Sequence, residues 1–236
     1  MIASIIVPVH NESDNIIRFL TTFINEITKY ERIHLYEILL VENGSNDNSF
    51  DICKSFELSS KGLVKVLQIV RPSYGEAIKT GILTAKGEIA IILECDFMNA
   101  QFVTIASDLI KSGIDMVIAS KMLKNSEDSR PFKRRILTCL FNRYLKLFFN
   151  YPGSDTHGLK AIEINKARIL CNESITTDEV FQTEIVLLAY KFNYKVVEVP
   201  ITITETRSTP VNIIKRLPKV IMIIRELNKS LARYKK

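Results

Sequence analysis

The chain has 236 residues, 47% of them apolar and 25% charged, and its 32 Lys and Arg against 26 Asp and Glu leave a formal charge of +6 at pH 7. That length accommodates one large α/β domain with a full core, and with only 8 Gly and 7 Pro the composition excludes a disordered, collagenous or fibrous chain. The charge is uneven: residues 130–146 carry +6 with no acid, residues 207–236 hold nine basic residues against Glu226, and the remainder carries −8. Two basic segments on an acidic body point to a negatively charged partner, either nucleotide phosphates or an anionic membrane surface. No recognition motif accompanies the charge, so no nucleic-acid partner is expected.

Apolar runs rich in β-branched residues alternate with helical patterns, the sequence form of an α/β fold with a mainly parallel sheet flanked by helices. Strands are predicted at 3–9, 36–42, 64–70, 88–94, 116–120, 158–163 and 195–203, and helices at 13–29, 46–59, 75–86, 100–112, 132–149, 166–172, 178–192 and 212–233. The N-terminus lacks a basic segment and a small-residue cleavage site and reads as a strand, not a signal peptide. The four cysteines are scattered with no CxxC pair and read as reduced thiols of a cytoplasmic protein. No window reaches 18 uncharged apolar residues, so no spanning helix is expected.

Ligands of open α/β sheets bind outside the carboxyl ends of the strands, so the residues after each strand are weighed first. Asn11 to Asp14 and Ser45 to Asp47 are predicted to cap helices and leave backbone N–H groups for a ligand. Glu94 and Asp96 follow a strand one residue apart, and in an extended chain both would face the same way. Carboxylates gathered there need a counter-charge, and a hard cation, Mg²⁺ or Mn²⁺, shared with a diphosphate would supply it.

Six segments in order then resemble a family 2 glycosyltransferase of the GT-A fold, a Rossmann-like nucleotide-diphospho-sugar transferase fold. They are closest to its dolichol-phosphate mannose synthase-like, polyprenyl-phosphate branch. The segments are Ser4 to Glu12, Val41 to Asp47, Arg71 to Gly87, Glu94-Cys95-Asp96, Asp155 to Lys160, and Phe181 to Glu184 with Glu198 to Arg207. The resemblance implies a GT-A domain over 1–207, with 208–236 as a basic amphipathic C-terminal helix. It also implies Pro8, His10, Glu12, Val41 and Asn43 around the base and ribose, and Glu94, Cys95 and Asp96 at the diphosphate. Glu94 and Asp96 would hold the metal, with Lys121 and Arg207 near phosphates and Asp155 on the acceptor side.

The implied activity is inverting transfer of a hexose from a GDP- or UDP-linked donor to a polyprenyl phosphate at the cytoplasmic membrane face. A phosphate acceptor is already anionic; a saccharide hydroxyl would need a carboxylate to take its proton, for which Asp178, Glu179 and Glu184 are the candidates. The sequence departs from the family pattern at Glu94 (usually Asp), Asn43 (often Asp) and Met98 (often a metal-binding Gln), and after Arg207 a Gly-x-Ser-Lys segment is missing unless Lys215 replaces its lysine. These departures keep open a non-catalytic nucleotide-sugar-binding protein. Local bracing is the alternative for several residues: Glu12 and Asp14 as helix-terminal charges, Asn43-Gly44 as an ordinary turn, and Asp155 and His157 as loop residues.

The basic segments carry apolar stripes at helical spacing, Ile136, Leu137, Leu140, Phe141, Tyr144, Leu147 and Phe148 in one and Ile213, Ile214, Leu217, Val220, Ile221, Ile224, Leu227 and Leu231 in the other. Pro218 is expected to kink the second. Each stripe either packs on the core or lies peripherally at a membrane interface with its cations toward anionic lipid, and the main rival is a homodimer formed through the second stripe.

Overall fold

The computed structural model describes residues 2–30, 36–128, 132–178, 180–203 and 213–233. In chain order the elements are β1 (Ala3–Val9), α1 (Ile16–Ile27), β2 (Tyr36–Asn43), α2 (Ser49–Ser59), β3 (Val64–Ile69), α3 (Tyr74–Thr84), β4 (Ile89–Ile92) and α4 (Ala100–Lys111). There follow β5 (Met116–Ser120), β6 (Glu127–Asp128), α5 (Phe132–Phe149), β7 (Lys160–Glu163), α6 (Ile164–Glu173), α7 (Val180–Lys191), β8 (Val196–Pro200), β9 (Thr202–Ile203) and α8 (Ile213–Ala232). The main sheet has the order β3-β2-β1-β4-β7-β5-β8.

The α/β architecture expected from the alternating pattern is present, because the strands bury both faces. Alternate residues divide between two cores: Ile5, Val7, Ile38, Leu40, Ile91 and Val117 on one face, Ile6, Leu39, Val41, Ile92 and Ile118 on the other. A strand covered on both sides must be apolar throughout, which is why these runs lack polar alternation. Pro8 is tolerated in a central strand because β4 last pairs at Ile6 with Ile92. The missing N–H of Pro8 falls on that side, beyond the end of β4, where no ladder bond is lost.

Three local features add to these expectations. The strand predicted at 158–163 forms β7, which runs antiparallel between β4 and β5. The run 195–203 divides at Ile201, whose N–H is taken by the Ser126 hydroxyl at 3.2 Å, and β9 beyond it pairs with β6 in a separate two-stranded sheet. α8 continues through Pro218 as one helix. Among the described residues no helix is long and apolar enough to cross a membrane.

Candidate active site

The turns after β1 and β2 are bound to each other. Asn11, at φ 54°, donates its N–H to Ser45 Oγ at 3.0 Å and accepts from Asn46 N at 2.8 Å on Oδ1. Glu12 N reaches Ser49 Oγ at 2.8 Å, and Ser13 N reaches Asp47 Oδ2 at 3.1 Å. The N–H groups expected to await a ligand are therefore spent between the two turns, and α1 and α2 begin at Ile16 and Ser49 without a side-chain cap from Asn15 or Asn48.

His10 remains exposed at this rim, its Nδ1–H donating to Asn43 O at 2.7 Å. Asn43 is buried, and its Oδ1 accepts from Ser73 N at 2.7 Å, joining β2 to the start of α3. This close approach needs Gly44 at φ +61°, where an added Cβ would lie 2.9 Å from both Val70 O and Pro72 Cδ. Pro8 and Glu12 are enclosed behind His10. The side chains of Val41 and Cys95, expected at the nucleotide and the diphosphate, belong to the hydrophobic cores.

Glu94 and Asp96 come together by a route other than the one expected. β4 ends at Ile92, and Glu94 to Phe97 form a tight turn closed by Phe97 N on Glu94 O at 2.9 Å. The extended-strand argument fails, yet the turn keeps the two carboxylates close. Burial raises the Glu94 pKa, as does the Asp96 charge, while hydrogen bonds from Tyr74 and Gln182 and the Lys160 charge oppose this.

Three elements converge on Glu94. Tyr74, the first residue of α3, donates its hydroxyl to Glu94 Oε1. Gln182 on α7 donates from Nε2 to Glu94 Oε1 at 3.2 Å and to Tyr74 OH at 2.6 Å. Lys160, fully enclosed at the start of β7, donates to Gln182 Oε1 at 2.6 Å and Gly158 O at 2.8 Å. Tyr74 can reach this position because Gly75 has no side chain to strike Thr177 O. Tyr74, Lys160 and Gln182 are not among the residues expected at the site, although all three lie inside the matching segments.

Among the described residues no group of three or more His, Cys, Asp and Glu is placed to hold a metal. The protein's donor set is Glu94 and Asp96, hard oxygen ligands whose mutual repulsion a divalent cation would relieve. That pair fits Mg²⁺ or Mn²⁺ with phosphate oxygens completing the shell. Met98 is half-buried against the core and adds no oxygen ligand.

On the other side of β4, Lys121 follows β5 with its Nζ 3.9 Å from Asp155 Oδ2. Asp155 is buried and also accepts from His157 N at 2.9 Å and Lys121 N at 3.4 Å. Glu198 organises the same loop, taking Ser154 N at 2.6 Å, Ser154 Oγ at 2.5 Å and Asp155 N at 3.2 Å. Asp155 thus braces the loop and steadies Lys121.

Glu184 requires a plain correction. It is fully buried, and its two oxygens accept from Ile175 N at 3.0 Å, Thr176 N at 2.9 Å and the hydroxyls of Thr176 and Ser230. Its acceptor capacity is filled by four donors, so it holds α7, the 174–176 loop and α8 together and is not a proton acceptor for a substrate. Asp178 is exposed. Arg207 and Glu179 lie outside the described residues, and the side chain of Lys215 is not described.

The chain resembles known proteins over most of its length. It is 27% identical over 216 residues to the dolichyl-phosphate beta-glucosyltransferase of Dictyostelium discoideum, covering 86% of this chain and 66% of that protein. It is 25% identical over 201 residues to the undecaprenyl-phosphate 4-deoxy-4-formamido-L-arabinose transferase of Edwardsiella ictaluri (strain 93-146), covering 84% and 58%. The chain therefore spans no more than 66% of the length of these two relatives. Mannosyl-3-phosphoglycerate synthase from Rubrobacter xylanophilus superposes with a TM-score of 0.71 at 17% identity, over 100% of this chain and 76% of that one. Glucosyl-3-phosphoglycerate synthase from Mycobacterium tuberculosis, in complex with Mn²⁺, uridine diphosphate and phosphoglyceric acid, does so with a TM-score of 0.60 at 18% identity, over 98% and 78%. These two likenesses establish the GT-A fold. The family model for glycosyl transferase family 2 matches residues 4–167, well over half of the chain, and this chain belongs to that family.

Proposed function

We propose that this chain transfers a hexose, with inversion, from a nucleoside-diphosphate sugar to a polyprenyl phosphate at the cytoplasmic face of a membrane. The observation that carries the reading is the Glu94 and Asp96 pair in the turn after β4, with Glu94 held by Tyr74 and Gln182. Glu94 and Asp96 would bind the divalent metal on the donor diphosphate. His10 and the backbone at Val41 to Asn43 would border the base and ribose, with Pro8 and Glu12 behind them. Lys121, steadied by Asp155, would face the phosphates, as would Arg207. A divalent metal there neutralises charge developing on the departing nucleoside diphosphate.

The lipid-phosphate acceptor is supported by two relatives named as dolichyl-phosphate and undecaprenyl-phosphate transferases. It is supported also by the enclosure of Asp155 and Glu184, since an acceptor oxygen already ionised needs no carboxylate to remove a proton. The exposed Asp178 favours a second reading, a saccharide hydroxyl acceptor with Asp178 as base. Radiolabelled UDP- and GDP-hexoses incubated with polyprenyl phosphate and Mn²⁺ separate the two. Label entering the chloroform phase is expected; transfer only to sugars overturns the lipid acceptor, and nucleotide binding without turnover of any donor favours a non-catalytic binding protein.

A further inference from the structure

The hydrogen bonds beneath Glu94 have a fixed direction, and one residue fixes it. Lys160 donates from Nζ to two oxygens, Gly158 O at 2.8 Å and the oxygen of the Gln182 amide at 2.6 Å, and, charged or neutral, it keeps protons for both. The amide NH₂ then faces Glu94 at 3.2 Å and Tyr74 OH at 2.6 Å. Tyr74, having accepted from Gln182, turns its own proton toward Glu94 Oε1. Both donors thus fall on Oε1, and Glu94 Oε2 has no hydrogen-bond partner among the described residues.

We infer that Lys160 is a positioning residue for the carboxylate that meets the metal: acting through Gln182, it holds Glu94 with one oxygen occupied and the other presented to a divalent cation. Lys160 never touches the cation itself. Removing its ammonium lets the Gln182 amide turn over, so that Tyr74 donates to that amide and Glu94 loses both donors. This inference rests on the metal reading above. Lys160 and Gln182 are both buried, so no water takes the place of the lysine on the Gln182 oxygen once it is removed.

The test is Mn²⁺ binding to the full chain in saturating UDP or GDP, read from the loss of the free-ion EPR signal, with nucleotide binding in EDTA measured beside it by calorimetry. Lys160→Met and Gln182→Leu are each expected to weaken Mn²⁺ roughly tenfold or more, the scale at which partners of metal-binding side chains act, with metal-free nucleotide binding unchanged. Gln182→Leu leaves Lys160 on Gly158 O and carries the test if Lys160→Met fails to fold. Folded variants that bind Mn²⁺ as the wild type does overturn the inference while the metal reading stands. A wild-type chain that binds no Mn²⁺ overturns the metal reading, and the inference with it.

Discussion

The two basic amphipathic helices look alike in sequence and are used differently. α8 carries Leu227 and Leu231 into the core beside α7, with Ile223 packed against the same cluster. Polar locks reinforce it: Ser230 meets Glu184, and Arg233 donates to Glu173 O at 2.7 Å. α5 buries Leu145 fully and turns Phe141 and Tyr144 partly inward, while Asn142 donates to Ser154 O. Its other side leaves Ile136, Leu140, Leu147 and Phe148 exposed at 41%, 59%, 73% and 58%, among the exposed Arg135, Arg143 and Lys146. An apolar stripe at helical spacing says that a helix has a preferred face; it does not say whether protein or membrane covers that face.

The largest expected effect follows from that difference. Leu227→Ala should lower unfolding stability by about 2–5 kcal/mol, the range for truncating an enclosed leucine, whereas Leu140→Ala and Leu147→Ala should each stay within about 0.5 kcal/mol. Urea denaturation of the three variants measures this, and equal losses would erase the distinction between the helices. Glu184→Gln should come next, at about 1–3 kcal/mol, because an amide NH₂ then faces donors that had met a carboxylate. Its loss should appear in stability, with nucleotide affinity retained.

A smaller effect probes the exposed side of α5. If it lies on an anionic bilayer, as the proposed lipid acceptor requires, neutralising Arg143 and Lys146 together should weaken vesicle binding by about 1 kcal/mol for each cation. Sedimentation with phosphatidylglycerol vesicles is the measurement. Added salt should weaken the wild type in the same direction. Binding that ignores both changes would remove α5 from the membrane surface and leave its exposed leucines to a homodimer.

The sheet and most helices were legible because burial on both faces writes itself as uninterrupted apolar runs rich in β-branched residues, as in Ile5 to Val9 and Ile89 to Leu93. The direction of β7 was not, since the four residues Lys160 to Glu163 carry no signal of which way they run. The rim residues were sought by position after each strand: His10, Glu94, Asp96 and Lys121 follow β1, β4 and β5, and Asn43 ends β2. Position alone did not show that the side chains of Val41 and Cys95 turn into the cores, since both faces of the sheet are apolar. Glu184 misled for a related reason. A carboxylate on a helix near the site reads as chemistry, and only the four donors around it, drawn from the 174–176 loop and α8, identify it as a brace. Lys160 and Gln182 are 22 residues apart, and nothing local in sequence announces that they meet.

The smallest expected effect serves as a control on both helices, because the bonds of Asp47 run to Ser13 and Ser49 and not to α5 or α8. What burial it has pushes the Asp47 carboxyl up, but hydrogen bonds from Ser49 and Ser13 outweigh that and bring it down to about 2. A carboxyl lower in the folded than in the unfolded chain stabilises above its ordinary value of 3.8 and loses that contribution as pH falls toward about 2. Asp47→Asn should therefore be slightly less stable than the wild type at neutral pH, with the gap closing over that acidic window. Asp47 is exposed, so solvent screening keeps the gap small. Vesicle binding should not change in this variant. If Asp47→Asn weakens vesicle binding as much as the loss of Arg143 and Lys146, the assay reports general loosening of the fold and not the surface of α5.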